Sequence, residues 1–246
     1  MTDSTVGRVA IVTGGSRGIG RASALRLAAD GQAVVVGYGG SKAEADSTVA
    51  EITAAGGRAI AAQADVADEQ AMTEVFDAAE RAFGGVDVVV HAAGVLYQST
   101  IAELDLDQLD RMHRTNIRGP FVVAKLAASR VRAGGAILTF STSVVGTLLP
   151  AYAPYAASKG AVEVLTKILA RELRGRDITV NAVAPGPTAT AMFLEGKDEA
   201  IIDRLVKMAP LERLGAPEDI AEVVSFLAGP ARWVNGQVLR ANGGMV

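Results

Sequence analysis

The stretch Val9-Ala10-Ile11-Val12-Thr13-Gly14-Gly15-Ser16-Arg17-Gly18-Ile19-Gly20 joins an apolar run to a glycine-rich turn. Val9–Thr13 predicts a buried β-strand, and a helical pattern begins at Ile19. Glycines allow a tight turn and let a pyrophosphate approach the amides at a helix N-terminus, where the helix dipole favours anions. A purely structural turn needs one or two glycines, so Gly14, Gly18 and Gly20 between strand and helix favour phosphate binding.

The same alternation of short β-branched runs and amphipathic stretches continues to the end of the chain. It predicts strands at Val9–Thr13, Ala33–Gly37, Arg58–Gln63, Val86–His91, Ala136–Ser141, Ile178–Val183 and Gln237–Arg240. It predicts helices at Ile19–Ala29, Lys42–Ala54, Glu69–Phe83, Leu106–Arg132, Tyr155–Leu173 and Glu218–Leu227. This order implies βαβ units in an α/β Rossmann fold, with a doubly wound, seven-stranded parallel sheet and helices on both faces.

The organisation is that of one domain spanning residues 1–246, because no Pro/Ser-rich linker or charge run divides the chain. Gly, Pro and Met interrupt the rhythm between about residues 188 and 214. That segment would lie near the carboxyl ends of the strands, where ligands bind in such sheets. It is predicted to be a substrate lid, with an irregular connection as the alternative.

Composition excludes several classes of function. The net charge is −3 with dispersed cations, so nucleic acid is not an expected partner. The chain has no cysteine and only two histidines, so no thiolate chemistry and no metal site are expected. The sequence has no apolar run long enough to span a membrane and no signal-peptide pattern at its start, which predicts no membrane association and a cytoplasmic location.

Tyr155 and Lys159 stand four residues apart in a predicted helix and therefore on one face of it. A free phenol has a pKa near ~10 and is a poor acid–base catalyst at neutral pH. A neighbouring ammonium favours the phenolate, which predicts that Lys159 lowers the pKa of Tyr155. By itself this pair could equally be a solvated pair on a helix face.

The end of the second predicted strand indicates which dinucleotide binds. NAD sites usually place an acid there to hold the ribose hydroxyls, but Val36–Lys42 contains no carboxylate. Arg17, Ser41 and Lys42 could instead receive a 2′-phosphate. NADP(H) is therefore favoured, with NAD(H) as the alternative. Arg17 and Lys42 could also be ordinary solvated side chains.

Taken together, these features resemble the short-chain dehydrogenase/reductase family, of the compact "classical" type, over essentially the whole chain. The resemblance rests on motifs that occur in the family's order: the glycine-rich turn, Asp65-Val66, His91-Ala92-Ala93-Gly94, Asn116, Ser143, Tyr155, Lys159, Pro185-Gly186, Asn235-Gly236-Gln237 and Gly243-Gly244. It implies hydride transfer between a nicotinamide and a ketone or secondary alcohol.

The resemblance also implies a role for each of four catalytic residues. Tyr155 would protonate the carbonyl oxygen, and Lys159 would lower its pKa and hold the nicotinamide ribose. Ser143 would hydrogen-bond the substrate oxygen, and Asn116 would anchor a water that relays protons to Lys159. Singly, Asn116 could be a mid-helix polar residue bonded to backbone.

Other family residues would lie along the cofactor. They are Gly14, Ser16, Arg17, Gly18, Ile19, Gly20, Tyr38, Gly39, Ser41, Asp65, Val66, Ala93, Gly94, Tyr155, Lys159, Pro185, Gly186, Thr188 and Thr190. Of these, Asp65 could also be a simple turn acid.

Two departures from the family pattern stand out. The usual Asn-Asn-Ala-Gly begins here with His91, which closes a buried strand and is expected to be structural. Ser143 lies twelve positions before Tyr155, one fewer than the commonest spacing. A one-residue loop deletion is easily absorbed. Ser143 could also be a simple loop hydroxyl after a strand, and Ser141 is a rival for its role at slightly longer spacing.

The predicted substrate site is mostly apolar. Its expected lining is Val95, Leu96, Val145, Leu149, Tyr152, Pro187, Met192 and Phe193, which favours a hydrophobic or aryl ketone over a charged substrate. The chain also resembles the 3-oxoacyl carrier-protein reductases, in which case Arg130, Arg132, Arg174 and Arg176 could dock an acidic carrier protein. A non-catalytic NADP(H)-binding sensor is the more remote alternative. The family expectation for assembly is a homotetramer or homodimer, paired through the helices at 106–132 and 155–173.

Overall fold

The computed structural model describes residues 7–246, and its centre is a single parallel sheet of seven strands in the order β3-β2-β1-β4-β5-β6-β7. The strands are β1 Val9–Thr13, β2 Ala33–Tyr38, β3 Ala59–Gln63, β4 Val86–His91, β5 Val131–Phe140, β6 Thr179–Pro185 and β7 Val238–Ala241. The predicted α/β Rossmann architecture is confirmed. The strand order reverses between β1 and β4, which opens a crevice at the carboxyl ends of these two strands.

Helices cover both faces of the sheet. They are α1 Gly18–Ala29, α2 Lys42–Ala54, α3 Glu69–Phe83, α4 Leu106–His113, α5 Gly119–Arg130, α6 Val144–Thr147, α7 Ala153–Glu172, α8 Ala191–Leu194, α9 Glu199–Lys207 and α10 Pro217–Ala228. A 3₁₀ turn spans Ile101–Glu103.

The core has two layers because successive side chains of a strand point to opposite faces. Val9 and Ile11 pack with residues of α3, α5 and α7, whereas Ala10 and Val12 pack with residues of α1, α2 and α10. Both layers are apolar, so the strands are buried on both faces, as expected of a parallel sheet. The sheet is therefore a rigid base for the loops at its carboxyl edge.

The predicted helix at 106–132 is divided in the structure. Between α4 and α5 the segment Arg114–Arg118 forms a π-helical turn, and the chain enters β5 at Val131. Pro120 has no N–H to donate to the carbonyl of Asn116, four residues earlier, so a regular α-helix cannot pass through this point. Such π-turns often occur at functional sites.

No helix among residues 7–246 is long and apolar enough to cross a membrane. Within the same described part of the chain, no cluster of three or more His, Asp or Glu side chains could hold a metal ion.

Candidate active site

The glycine-rich turn between β1 and α1 is packed so tightly that side chains are excluded from it. A Cβ on Gly14 would lie 2.8 Å from the Ala93 amide nitrogen, and Gly14 also has a φ of +66°. A Cβ on Gly20 would lie 2.1 Å from the Gly14 carbonyl oxygen. The turn can therefore close over the start of α1 only with glycine at these positions, leaving its backbone open towards the crevice.

A cleft of about 670 Å³ follows the carboxyl edge of the sheet. Every residue predicted to lie along the cofactor lines it: Gly14, Ser16, Arg17, Gly18, Ile19, Gly20, Tyr38, Gly39, Ser41, Asp65, Val66, Ala93, Gly94, Tyr155, Lys159, Pro185, Gly186, Thr188 and Thr190. The sheet thus brings together residues that are up to 176 positions apart in the chain. Their individual roles stay predictions.

The three residues considered for binding a 2′-phosphate, Arg17, Ser41 and Lys42, differ in their surroundings. Arg17 is exposed and, like Ser41, lines the cleft. Lys42 is not part of the lining, and its ammonium pairs with the Asp46 carboxylate of the next helical turn at 2.6 Å. Arg17 and Ser41 are the better placed of the three.

Asp65 is held in a fixed orientation beyond β3. Its carboxylate accepts a hydrogen bond from the Ala67 amide at 2.9 Å and pairs with Arg114 at 2.8 Å. The backbone hydrogen bond from Ala67 and the nearby guanidinium keep the pKa of Asp65 below its usual value. Asp65 therefore both forms the turn after β3 and lines the cleft. Its partner Arg114 was not predicted from the sequence.

Tyr155 and Lys159 lie on the cleft side of α7, as their spacing predicted. The Lys159 ammonium lies 5.8 Å from the centre of the Tyr155 ring and donates to the Phe140 carbonyl oxygen at 2.9 Å. Burial raises the pKa of Tyr155 to about 12 and lowers that of Lys159 to about 8. The direction is opposite to the lowering predicted for Tyr155, because removing the phenol from water disfavours its charged form.

Asn116 is fully buried in the π-helical turn. Its amide accepts from the Val95 N–H at 2.9 Å and donates to the Val95 carbonyl at 2.8 Å and to the Ser158 hydroxyl at 3.3 Å. The side chain therefore fixes the loop after β4 against α7. Any water relay through Asn116 must use its main-chain carbonyl, which Pro120 leaves without an α-helical donor.

Three hydroxyl residues follow β5 and line the cleft. The Ser141 hydroxyl donates to the Glu163 carboxylate at 2.6 Å. Ser143, the predicted catalytic residue, donates to the Ala184 carbonyl at 3.3 Å and accepts from the Asn242 amide at 2.9 Å. Thr142 accepts from the Val144 N–H at 3.3 Å. Sequence reasoning did not single out Thr142.

His91 is a structural residue, as expected. Its Nδ1 lies 2.9 Å from the Thr13 hydroxyl, and the ring is buried. Burial, with Lys159 as a smaller contribution, lowers the pKa of His91 to about 3, so the imidazole is neutral at physiological pH. It ties β4 to β1 beneath the cleft.

The other end of the cleft is mostly apolar. Of the predicted substrate residues, Leu96, Leu149, Tyr152, Pro187, Met192 and Phe193 line it. Val95 and Val145 do not: the Val95 backbone is held by Asn116, and Val144 takes the inward position on α6. Thr147, Leu205 and Met245 also line the cleft and carry no sequence motif that marks them.

Comparisons with known proteins agree with this geometry. A family model described as "Enoyl-(Acyl carrier protein) reductase" matches residues 14–246. A "Short-chain type dehydrogenase/reductase" of Picea abies is 47% identical, with 98% of this chain and 93% of the relative covered. An "NADPH-dependent aldehyde reductase-like protein, chloroplastic" of Arabidopsis thaliana is 43% identical, with 98% of this chain and 94% of the relative covered.

A solved structure has the same fold. It is a short-chain dehydrogenase from Burkholderia cenocepacia in complex with NADP, 40% identical, with 97% of each chain covered and a TM-score of 0.91. The chain belongs to the short-chain dehydrogenase/reductase family of NAD(P)-dependent oxidoreductases.

Proposed function

We propose that the protein is an NADPH-dependent carbonyl reductase that converts hydrophobic ketones to secondary alcohols. One observation carries this proposal: the glycine-rich turn with Arg17, the apolar side chains of Leu149 and Phe193, and Tyr155 all line a single cleft. A nucleotide and an apolar substrate could therefore meet at one acid.

The residues at the glycine-lined end fit a phosphorylated dinucleotide. The side-chain-free turn at Gly14 and Gly20 offers backbone amides at the start of α1 to a pyrophosphate. Arg17 and Ser41 supply a cation and a hydroxyl for a 2′-phosphate, and the end of β2 has no carboxylate to repel it. Relatives described as NADPH-dependent or solved with NADP support the same cofactor. When bound, NADPH supplies the hydride.

Tyr155 supplies the proton for the reduction. With its pKa near 12, the phenol is protonated at neutral pH and can donate to a carbonyl oxygen. As the carbonyl carbon accepts a hydride, negative charge develops on the oxygen, and the phenol proton moves to it. In a buried site such a charge is stabilised strongly by a positioned donor.

Lys159 and Asn116 would serve the return of that proton. The Lys159 pKa of about 8 lies close to physiological pH, so the ammonium can lose and regain a proton in the working range. The Asn116 carbonyl is the acceptor that could hold a water near it, as the family resemblance implies.

The apolar end of the cleft supports the proposed substrate class. Among the described residues that line the cleft, the cations are Arg17 and Lys159 alone, and neither belongs to the apolar end. A carboxylate substrate would find no guanidinium or ammonium there to pair with. Leu96, Met192 and Phe193 would instead remove apolar carbon from water.

The test is the initial rate of NADPH oxidation with acetophenone and with acetoacetyl-CoA at matched concentrations. A preference for acetophenone is expected, and a Tyr155→Phe variant should lose at least 100-fold in kcat because the proton donor is gone. Tyr97→Phe is the matched control, since the Tyr97 hydroxyl lies outside the cleft and bonds the Asp105 amide. Full turnover by Tyr155→Phe would refute the mechanism.

The alternative of a 3-oxoacyl carrier-protein reductase has less support from the surface arginines. Arg130 pairs with Asp77 and Glu80 at 2.5 and 2.6 Å, and Arg132 pairs with Asp87 at 2.5 Å. Cations already paired within the chain attract an acidic partner weakly. A clear preference for the thioester, lost on neutralising Arg132 and Arg176, would support this alternative.

A non-catalytic NADP(H) sensor would need neither Tyr155 nor Lys159 in the cleft, whereas both are present. Cofactor binding with no turnover across a broad panel of ketones would favour the sensor over the reductase.

The segment at 188–214 is proposed to act as the lid of this cleft. Its ends are tied by hydrogen bonds from Ala189 N to the Gly215 carbonyl at 2.8 Å and from Gly215 N to the Pro187 carbonyl at 2.9 Å. Met192, Phe193 and Leu205 project from it into the cleft. Slower proteolysis within this segment on addition of NADPH would support a lid, and an unchanged rate would contradict it.

A homotetramer or homodimer is proposed for the assembly. Phe121 on α5 and Val164 and Ile168 on α7 are about half exposed, which suits the pairing of these helices across a two-fold axis. Sedimentation of a monomer at micromolar concentration would contradict it. A cytoplasmic location stays a prediction.

A further inference from the structure

The residues that follow β7, at 242–246, are here called the β7 tail. Gly243 and Gly244 have φ angles of +67° and +89°, a left-handed backbone that residues other than glycine rarely adopt. Two such residues in a row turn the chain sharply. The next residue, Met245, is thereby directed back to the cleft, which it lines.

Asn242 holds this turn in place through both ends of its side-chain amide. The amide oxygen accepts from the Gly244 and Met245 N–H groups at 3.0 and 3.2 Å, and the amide nitrogen donates to the Ser143 hydroxyl at 2.9 Å. A Cβ on Gly186 would lie 2.8 Å from the Asn242 Cα, so the backbone after β6 is also in close contact with it. The backbone of Met245 is therefore fixed relative to β6 and to the loop after β5.

The β7 tail is also packed on two sides. On one side the Val246 side chain contacts α6, because a Cβ on Gly146 would lie 3.0 Å from the Val246 Cγ2 atom. On the other side the Leu211 amide donates to the Gly243 carbonyl at 3.2 Å, which joins the β7 tail to the segment at 188–214. The β7 tail is therefore held between α6 and that segment.

This packing places Met245 at the apolar end of the cleft. Leu149, two residues after α6, and Phe193, within the segment at 188–214, line the same end. A methionine side chain is large and apolar and can adapt its own torsions. Its backbone is fixed, however, so the side chain occupies space that a bulky substrate would need.

We infer that Met245 is a specificity-determining residue, which limits the bulk of the apolar group on the substrate carbonyl. The inference rests on the proposed carbonyl reduction and narrows its substrates to compact aryl ketones. Hydrophobic pockets discriminate by about 10- to 200-fold for a single methylene group. A change of most of a side chain at Met245 should therefore alter the choice between ketones.

The experiment compares two methyl ketones that differ by one fused ring, acetophenone and 2-acetonaphthone. The measured quantity is kcat/KM for 2-acetonaphthone divided by kcat/KM for acetophenone. Met245→Ala should raise this ratio at least tenfold because it opens the apolar end, and Met245→Trp should lower it at least tenfold because it fills that end. A ratio within about twofold of the wild type in both variants would overturn the inference.

Met208→Ala is the matched control. Met208 is 39% exposed and lies outside the cleft, so the ratio should stay within about twofold of the wild type. The Kd for NADPH, measured by fluorescence titration, should stay within about threefold in both Met245 variants, which shows that they are folded. A ratio that changes as much in Met208→Ala as in Met245→Ala would also overturn the inference.

A second readout does not need turnover. The chain has six methionines, so labelling their methyl groups with ¹³C gives a simple NMR spectrum, and the signal lost in Met245→Ala identifies Met245. When acetophenone is added to protein saturated with NADP⁺, which cannot reduce a ketone, the Met245 signal should shift and the Met208 signal should not.

The two readouts separate the inference from the proposed function. If no ketone is reduced, the carbonyl reductase proposal fails, while the Met245 signal still reports whether a ketone binds against this side chain. A Met245 signal that does not shift with saturating acetophenone would overturn the inference in either case.

Discussion

A Gly20→Ala substitution tests the glycine-rich turn directly. The added Cβ would lie 2.1 Å from the Gly14 carbonyl oxygen and 2.8 Å from its carbon. Real Cβ contacts essentially never fall under 3.0 Å, so the turn must move by about 1 Å. Overpacking of this kind destabilises by roughly 1–3 kcal/mol, and the helix propensity of alanine offsets about 1 kcal/mol of it. The net loss of unfolding free energy is therefore expected to be small, about 0–2 kcal/mol.

The effect on NADPH binding should be larger than the effect on stability. A displacement of about 1 Å in a positioning element can reduce function by about 100-fold. We expect the Kd for NADPH, measured by fluorescence titration, to rise by about 30- to 100-fold in Gly20→Ala. The Tm should fall by only a few degrees.

Gly160→Ala is the matched control. Gly160 also lies in a helix, α7, and a Cβ there would meet nothing within 4 Å. This variant should bind NADPH like the wild type and gain up to about 1 kcal/mol in stability. If Gly20→Ala binds NADPH within threefold of the wild type, the backbone of the turn is not what holds the cofactor, and the reasoning is refuted.

Two further substitutions test the electrostatics. Lys159→Met should abolish turnover but raise the Tm at pH 7 by about 2–6 °C, because below pH 8 the folded protein carries a buried ammonium that the substitution removes. This gain in Tm should shrink as the pH rises from 8 towards 10.5, because the folded wild type loses that proton at a lower pH than the unfolded chain does. A gain that stays constant with pH would contradict the explanation. Arg132→Gln should lower the unfolding free energy by about 1–3 kcal/mol in urea titrations, because the Asp87 side chain is 11% exposed and loses its cation. Lys125→Gln, which breaks an exposed pair with Glu69, should change the unfolding free energy by under about 1 kcal/mol. Equal losses in Arg132→Gln and Lys125→Gln would contradict the role of burial.

Most strands and helices of the fold could be predicted from the local periodicity of apolar residues. All seven strands and five of the six predicted helices lie where the alternation of apolar runs placed them, and α2 and α3 match to the residue. The helix expected at 106–132 is interrupted by the π-helical turn that contains Asn116. The spacing of apolar residues does not record the N–H that Pro120 lacks, so it did not predict this interruption.

The sequence placed the residues that line the cleft where local geometry sets them, but it did not show the bonds between their side chains. The glycines and the Tyr155–Lys159 pair depend on contacts within one turn of the chain, which spacing records. The bonds of Ser143 to Ala184 and Asn242 join segments far apart in sequence.

By itself the sequence determined the parallel α/β sheet, the glycine-rich turn and the family, because each depends on residue types at short, fixed spacings. Only the tertiary structure decided the hydrogen-bond partners of Ser141 and Ser143, that Val144 rather than Val145 lines the cleft, and that burial raises the pKa of Tyr155 to about 12. These properties depend on solvent exclusion and on partners brought in from β6 and the chain end. No local pattern carries that information, because desolvation is set by everything packed around a group.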